Sequence, residues 1–72
     1  MNNQTLELEY NYSPLLPNNK NARILDAGCG HGRILNFLYE KAYQNLLGVD
    51  RDKEALEKIS PKLKEKVVYA TA

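Results

Sequence analysis

The chain holds one cysteine, one histidine, no tryptophan and a single phenylalanine among 72 residues. One cysteine cannot close an internal disulfide, and one cysteine with one histidine cannot supply a four-ligand zinc cage. The two staples that usually reinforce so small a domain are missing. A short chain also buries a small share of its surface, so the sequence predicts marginal stability and a partner that adds to it. Charge of one sign is scarce as well: 10 Lys and Arg stand against 9 Asp and Glu, a net +1. That balance gives no clear nucleic-acid footprint, which would need a basic excess on one face. No apolar run is long enough for a membrane span, and Met1 is followed by polar Asn2, Asn3 and Gln4, unlike a secretory signal. The expectation is a reducing, cytoplasmic setting with no membrane partner.

The residues present divide the chain into a polar leader or docking arm, residues 1–21, and a more regular part, residues 22–72. In the leader Leu6, Leu8, Tyr10 and Tyr12 alternate with polar residues, the period of a short strand. Pro14 and Pro17 argue against regular structure after it, and Asn18, Asn19, Lys20 and Asn21 form a turn-rich hinge. The run from Ala22 to Ala27, ARILDA, is short, mostly apolar and bounded by turn residues, as in a parallel strand buried on both faces. After the loop GCGHG, the residues Ile34, Leu35, Leu38 and Ala42 recur at helical spacing and predict an amphipathic helix over Arg33 to Tyr43. Asn45 to Asp50, NLLGVD, reads as a second strand in which Gly48 marks a close approach to the backbone.

Asp52 stands at an N-cap before a helix with Ala55, Leu56 and Ile59 on one face, and Pro61 ends that helix near Ser60 or opens a further turn through Leu63. Val67, Val68 and Tyr69 begin a third strand. Strand, glycine loop, helix, strand, helix, strand is an α/β arrangement, one half of a Rossmann-like parallel sheet with order 3-2-1. Such a half leaves its first strand on an open edge, so the sequence reads as a truncated domain whose sheet a second chain could complete.

A strand that ends in a glycine-rich turn before a helix presents backbone N–H groups at the positive end of that helix and suits a nucleotide-like cofactor. The dinucleotide pattern G-x-G-x-x-G would need glycine at Arg33, but the glycines are Gly28, Gly30 and Gly32. Asp26 adds a carboxylate two residues before the first of them, which repels a diphosphate and attracts an ammonium. S-adenosylmethionine, with an ammonium, a sulfonium and no phosphate, matches that charge better than NAD does.

The stretch ILDAGCGHG resembles motif I of the class I S-adenosylmethionine-dependent methyltransferases, and LLGVDRDKEAL resembles the motif that follows it. The resemblance spans Ala22 to Ala72. It implies that Gly28, Gly30 and Gly32 lie beneath the methionine portion of the cofactor, Asp26 near its ammonium, Asp50 on the ribose and Arg51 beside the adenine. Where the family carries an acid on the adenine amino group, this chain has Thr71 or Ala72. The implied function is the cofactor-binding part of a methyltransferase with an unidentified methyl acceptor. The alternatives are a non-catalytic module that docks through its open sheet edge and, against Asp26 and Arg33, half of a nicotinamide-dependent oxidoreductase. No catalytic residue stands out. His31 and Cys29 lie in the loop, but a varied loop position explains the first and tight packing the second.

Overall fold

The computed structural model describes residues 3–70. Three short runs rich in Ile, Leu and Val form parallel strands β1 (Arg23–Ala27), β2 (Asn45–Asp50) and β3 (Val67–Tyr69), in the spatial order β1-β2-β3. The order is the expected 3-2-1, with β1 at an edge. Register sets Asp26 beside Gly48 and Asp50 beside Tyr69, so both carboxylates sit at the carboxyl end of the sheet. Ligand sites of parallel α/β sheets lie at that end.

Helices α2 (Arg33–Glu40) and α3 (Lys53–Glu57) cross over between the strands and lie on the same face, as two successive right-handed crossovers require. The core is therefore one-sided. Leu35, Phe37 and Leu38 of α2 meet Leu46 of β2 and Leu56, Ile59 and Leu63 from α3 and the following turn. Gly48 makes this packing possible: a Cβ there would collide with Leu35 Cδ1 and lie 2.9 Å from Cys29 Sγ. The other face carries Leu25, 63% exposed, with Leu47 and Val68 also uncovered. The expectation that β1 is buried on both faces is thus corrected, because no helix in residues 3–70 reaches the second face.

Several boundaries also move. Helix α2 stops at Glu40, before the expected Tyr43, because Ala42 takes a left-handed backbone (φ 70°) and turns the chain out. Tyr43 is then buried, and its hydroxyl donates to Pro17 O at 2.5 Å. Asp52 caps α3 as expected, its Oδ1 accepting from Ala55 N at 3.2 Å, but α3 ends at Glu57. Pro61 opens a 3-10 helix, Pro61–Lys66.

The leader is not a strand. Asn3–Tyr12 forms helix α1, and Ser13–Leu15 a 3-10 turn that accommodates Pro14 near its start. A helix satisfies its own backbone, whereas a strand here would need a sheet edge that the leader does not reach. Leu8 anchors α1, in the core beside Phe37. Glu9 ion-pairs with Lys41, Gln44 N donates to Lys20 O at 3.1 Å, and Asn45 Nδ2 donates to Asn21 O at 2.5 Å. The leader is tied to the junction of α2 and β2. No helix among the described residues is long and apolar enough to cross a membrane.

Candidate functional site

β1 ends at Ala27 and the chain must reverse into α2 within Gly28–Gly32. It does so with left-handed backbone at Gly28 (φ 74°), Gly30 (φ 56°) and Gly32 (φ 91°). A side chain is strained at such angles. The three glycines differ in what surrounds them. A Cβ on Gly28 or Gly30 would enter open space, whereas one on Gly32 would come within 2.8 Å of Ile59 Cγ1. Gly28 and Gly30 thus line a cleft, and Gly32 lets the start of α2 sit against the α3 side.

The loop is braced by the end of β2. Val49 O accepts from Gly28 N at 2.7 Å and from Cys29 N at 3.1 Å, and Gly32 N donates to Cys29 O at 3.0 Å. Asp50 Oδ2 accepts from Gly30 N at 2.7 Å, and its Oδ1 accepts from Asp52 N, also at 2.7 Å. Those hydrogen bonds, first from Asp52 and then from Gly30, hold the Asp50 carboxyl below the usual carboxylate range. The N–H groups of Gly28, Cys29, Gly30 and Gly32 are engaged within the chain, whereas those of His31, Arg33 and Ile34, at the start of α2, find no acceptor among the described residues. The expectation of free N–H groups thus holds at the helix end of the loop only.

Asp26 is in the opposite state. Its Oδ2 is buried with no hydrogen-bond partner. Burial, and then the nearby charge of Asp50, push its carboxyl above the ordinary value of 3.8. A buried carboxylate oxygen without a donor is costly unless a cation or donor meets it. The Asp26 side chain lines the cleft with Gly28, Gly30 and Ile34.

Of the residues singled out from sequence, Asp26, Gly28 and Gly30 share this cleft, with Asp50 joined to it through Gly30 N. Gly32 is packed behind it, and Arg51 is exposed beyond the end of β2. Thr71 and Ala72 lie outside the described residues. Sequence reasoning gave no site role to Cys29, His31, Arg33 or Ile34, which also line the cleft. Their signal was position alone, between the glycines and in the first turn of α2. Cys29 is buried, and burial, then the charges of Asp26 and Asp50, raise its thiol pKa, which suits packing rather than nucleophilic chemistry.

A family model described as a methyltransferase domain matches residues 18–68. No curated protein and no solved structure matches the chain.

Proposed function

We propose, from the premise that the chain belongs to this methyltransferase domain family, that the cleft at the end of β1 binds S-adenosylmethionine for transfer of its methyl group to an acceptor. The observation that carries this reading is the unpartnered, buried Oδ2 of Asp26 beside two glycines whose missing side chains leave space. The orphan oxygen fits an ammonium: a charged donor would satisfy it and offset the cost of keeping it buried. Gly28 and Gly30 would admit the methionine portion. Asp50 keeps a second lone pair on each oxygen after accepting from Gly30 and Asp52, enough for two ribose hydroxyls. Arg51, exposed next to Asp50, would flank the base.

When bound, the cofactor supplies a methyl group activated by the adjacent sulfonium. The chain's own part is to orient it, which is where a transfer by direct displacement gains most of its rate. A reducing, cytoplasmic setting suits the single buried thiol of Cys29.

The test is calorimetric titration of the full chain with S-adenosylhomocysteine, which keeps the ammonium and ribose. Binding should weaken by about tenfold or more in Asp26→Asn, the loss expected for one charge-assisted hydrogen bond. Binding of NAD in its place, or an undiminished affinity in Asp26→Asn, overturns the reading. Because the Asp26 pKa is raised, affinity should begin to fall on acidification while the pH is still above 3.8.

A second reading is favoured by one observation, the uncovered face with Leu25, Leu47 and Val68 next to the open edge of β1. A second chain that completes the sheet would bury both. Sedimentation of the chain at increasing concentration tests self-association, and a monomer at all concentrations removes a second copy as the partner.

A further inference from the structure

On the far side of the glycine loop, α1, α2 and the turn after α3 enclose a groove of about 500 Å³. Its floor is apolar: Leu8, Phe37 and Leu63, all core residues, line it. Its rim is cationic and rich in donors. Arg33 and Asn36 come from α2, and Lys58 and Ser60 from the turn after α3, while His31 stands at the loop. One carboxylate also lines the groove, Glu40, but it is bonded to Lys62 Nζ at 2.6 Å, and that ammonium lies 4.9 Å over the Tyr39 ring. Glu40 is neutralised by Lys62, whereas neither Arg33 nor Lys58 ion-pairs with any described residue. The groove is left with two uncompensated cations above an apolar base. An oxyanion is drawn to the rim by the field of both, and a guanidinium presents paired donors that match a carboxylate. The apolar floor adds a second requirement, a body attached to that oxyanion that gains by leaving water.

We infer that this groove binds a small organic acid, with its carboxylate at Arg33 and Lys58 and its apolar body on Leu8, Phe37 and Leu63, and that this acid is the class of methyl acceptor. A carboxylate oxygen takes the methyl carbon as the sulfonium S–C bond breaks, leaving a methyl ester and neutral S-adenosylhomocysteine with no proton to remove. The binding part stands without the cofactor. The acceptor part rests on the S-adenosylmethionine reading, and its geometric support is that His31 and Arg33 line both the groove and the cofactor cleft.

The experiment is nitrogen–proton correlation spectroscopy of the labelled full chain, titrated with phenylacetate, with its neutral isostere phenylacetamide and with inorganic phosphate. Phenylacetate should shift the amides of residues 31–36 and 58–60, and more strongly than either control. Each of Arg33→Gln and Lys58→Gln should weaken it about threefold, in the range of an exposed ion pair, and the double variant about tenfold. Lys53→Gln, the same charge change on α3 outside the groove, should leave the affinity as it was. Equal binding of phenylacetamide, equal binding of phosphate, or full affinity in the double variant overturns the acid site. A parallel titration with S-adenosylhomocysteine separates the two readings. Phenylacetate bound with no cofactor affinity keeps the acid site and ends its acceptor role, and so does competition between the two ligands. Simultaneous binding of both supports the acceptor role.

Discussion

The two faces of the sheet are made of the same strands and meet opposite fates. On β2, Leu46 and Gly48 are buried and Leu47, between them, is 42% exposed. Composition does not separate these positions, since both faces carry aliphatic residues. Connection does: each crossover in this order of strands delivers its helix to the same side, so α2 and α3 accumulate over one face, and Leu8 of α1 joins them there. The lesson is that a run of apolar residues reports what a strand could bury, whereas the handedness and direction of the connections decide which side is actually covered.

Core truncation gives the sharpest contrast between the faces. Leu35, with no solvent exposure, should cost about 3–5 kcal/mol as Leu35→Ala, through lost burial and the cavity left behind. Leu25→Ala, on the open face, should cost less than about 1 kcal/mol. Urea unfolding of the full chain measures both. A Leu25→Ala penalty as large as that of Leu35→Ala would break the comparison, because it requires that something covers the open face in solution.

The glycines extend the contrast to the loop. In Gly32→Ala the left-handed backbone and the collision with Ile59 act together, for a loss of about 2–4 kcal/mol. Gly48→Ala meets Leu35 and Cys29 in the core and should lose about 1–3 kcal/mol. Gly28→Ala bears the backbone strain alone, with no atom in the way, and should lose about 1–2 kcal/mol. The same unfolding curves rank the three. A Gly28→Ala loss equal to that of Gly32→Ala would mean that the cleft is filled by the chain itself, leaving no room for a ligand.

How much of this was legible in the sequence depends on the range of the interaction. The strand–loop–helix order, the Asp52 cap and the tight approach at Gly48 are local or nearly so, and the residues announce them. The period-two pattern of Leu6, Leu8, Tyr10 and Tyr12 misled, because in α1 Leu8 is buried while Tyr10 is 84% exposed, so the alternation marks no common face. The end of α2 misled for a related reason. Ala42 has the right spacing for the helix face, yet it takes a left-handed turn, and Tyr43 after it reaches Pro17, a contact 26 residues apart that local spacing does not report. In the site, the types and spacing of Asp26 and Asp50 were readable, but their different states were not. Which carboxylate takes the loop N–H and which is left without a donor depends on the register of β1 on β2.

That difference between the carboxylates yields the smallest expected effect, and its sign can be worked out. Asp26 has a raised pKa in the fold, so it holds its proton longer there than in the unfolded chain. Its contribution to stability is complete below the ordinary 3.8 and is lost as pH rises through the folded value. Asp50, held below 3.8, behaves in the reverse sense, contributing above that value and losing its contribution as pH falls through the folded one. Asp26→Asn removes the buried charge, so at neutral pH the variant should be more stable than the parent without ligand. After allowance for solvent screening at a partly exposed group, the gain is on the order of 0.5 kcal/mol. It should shrink as pH falls and vanish below about 3.8, where the parent Asp26 is protonated in both states. Asp50→Asn should instead destabilise at neutral pH, since an amide has one acceptor oxygen and cannot accept from both Gly30 N and Asp52 N. Unfolding of both variants across pH 3–7 measures the pair, and a loss of stability in Asp26→Asn at neutral pH would mean that Asp26 has a donor in the free chain. The covered face would then be satisfied to its end, with no buried oxygen waiting for a ligand's ammonium.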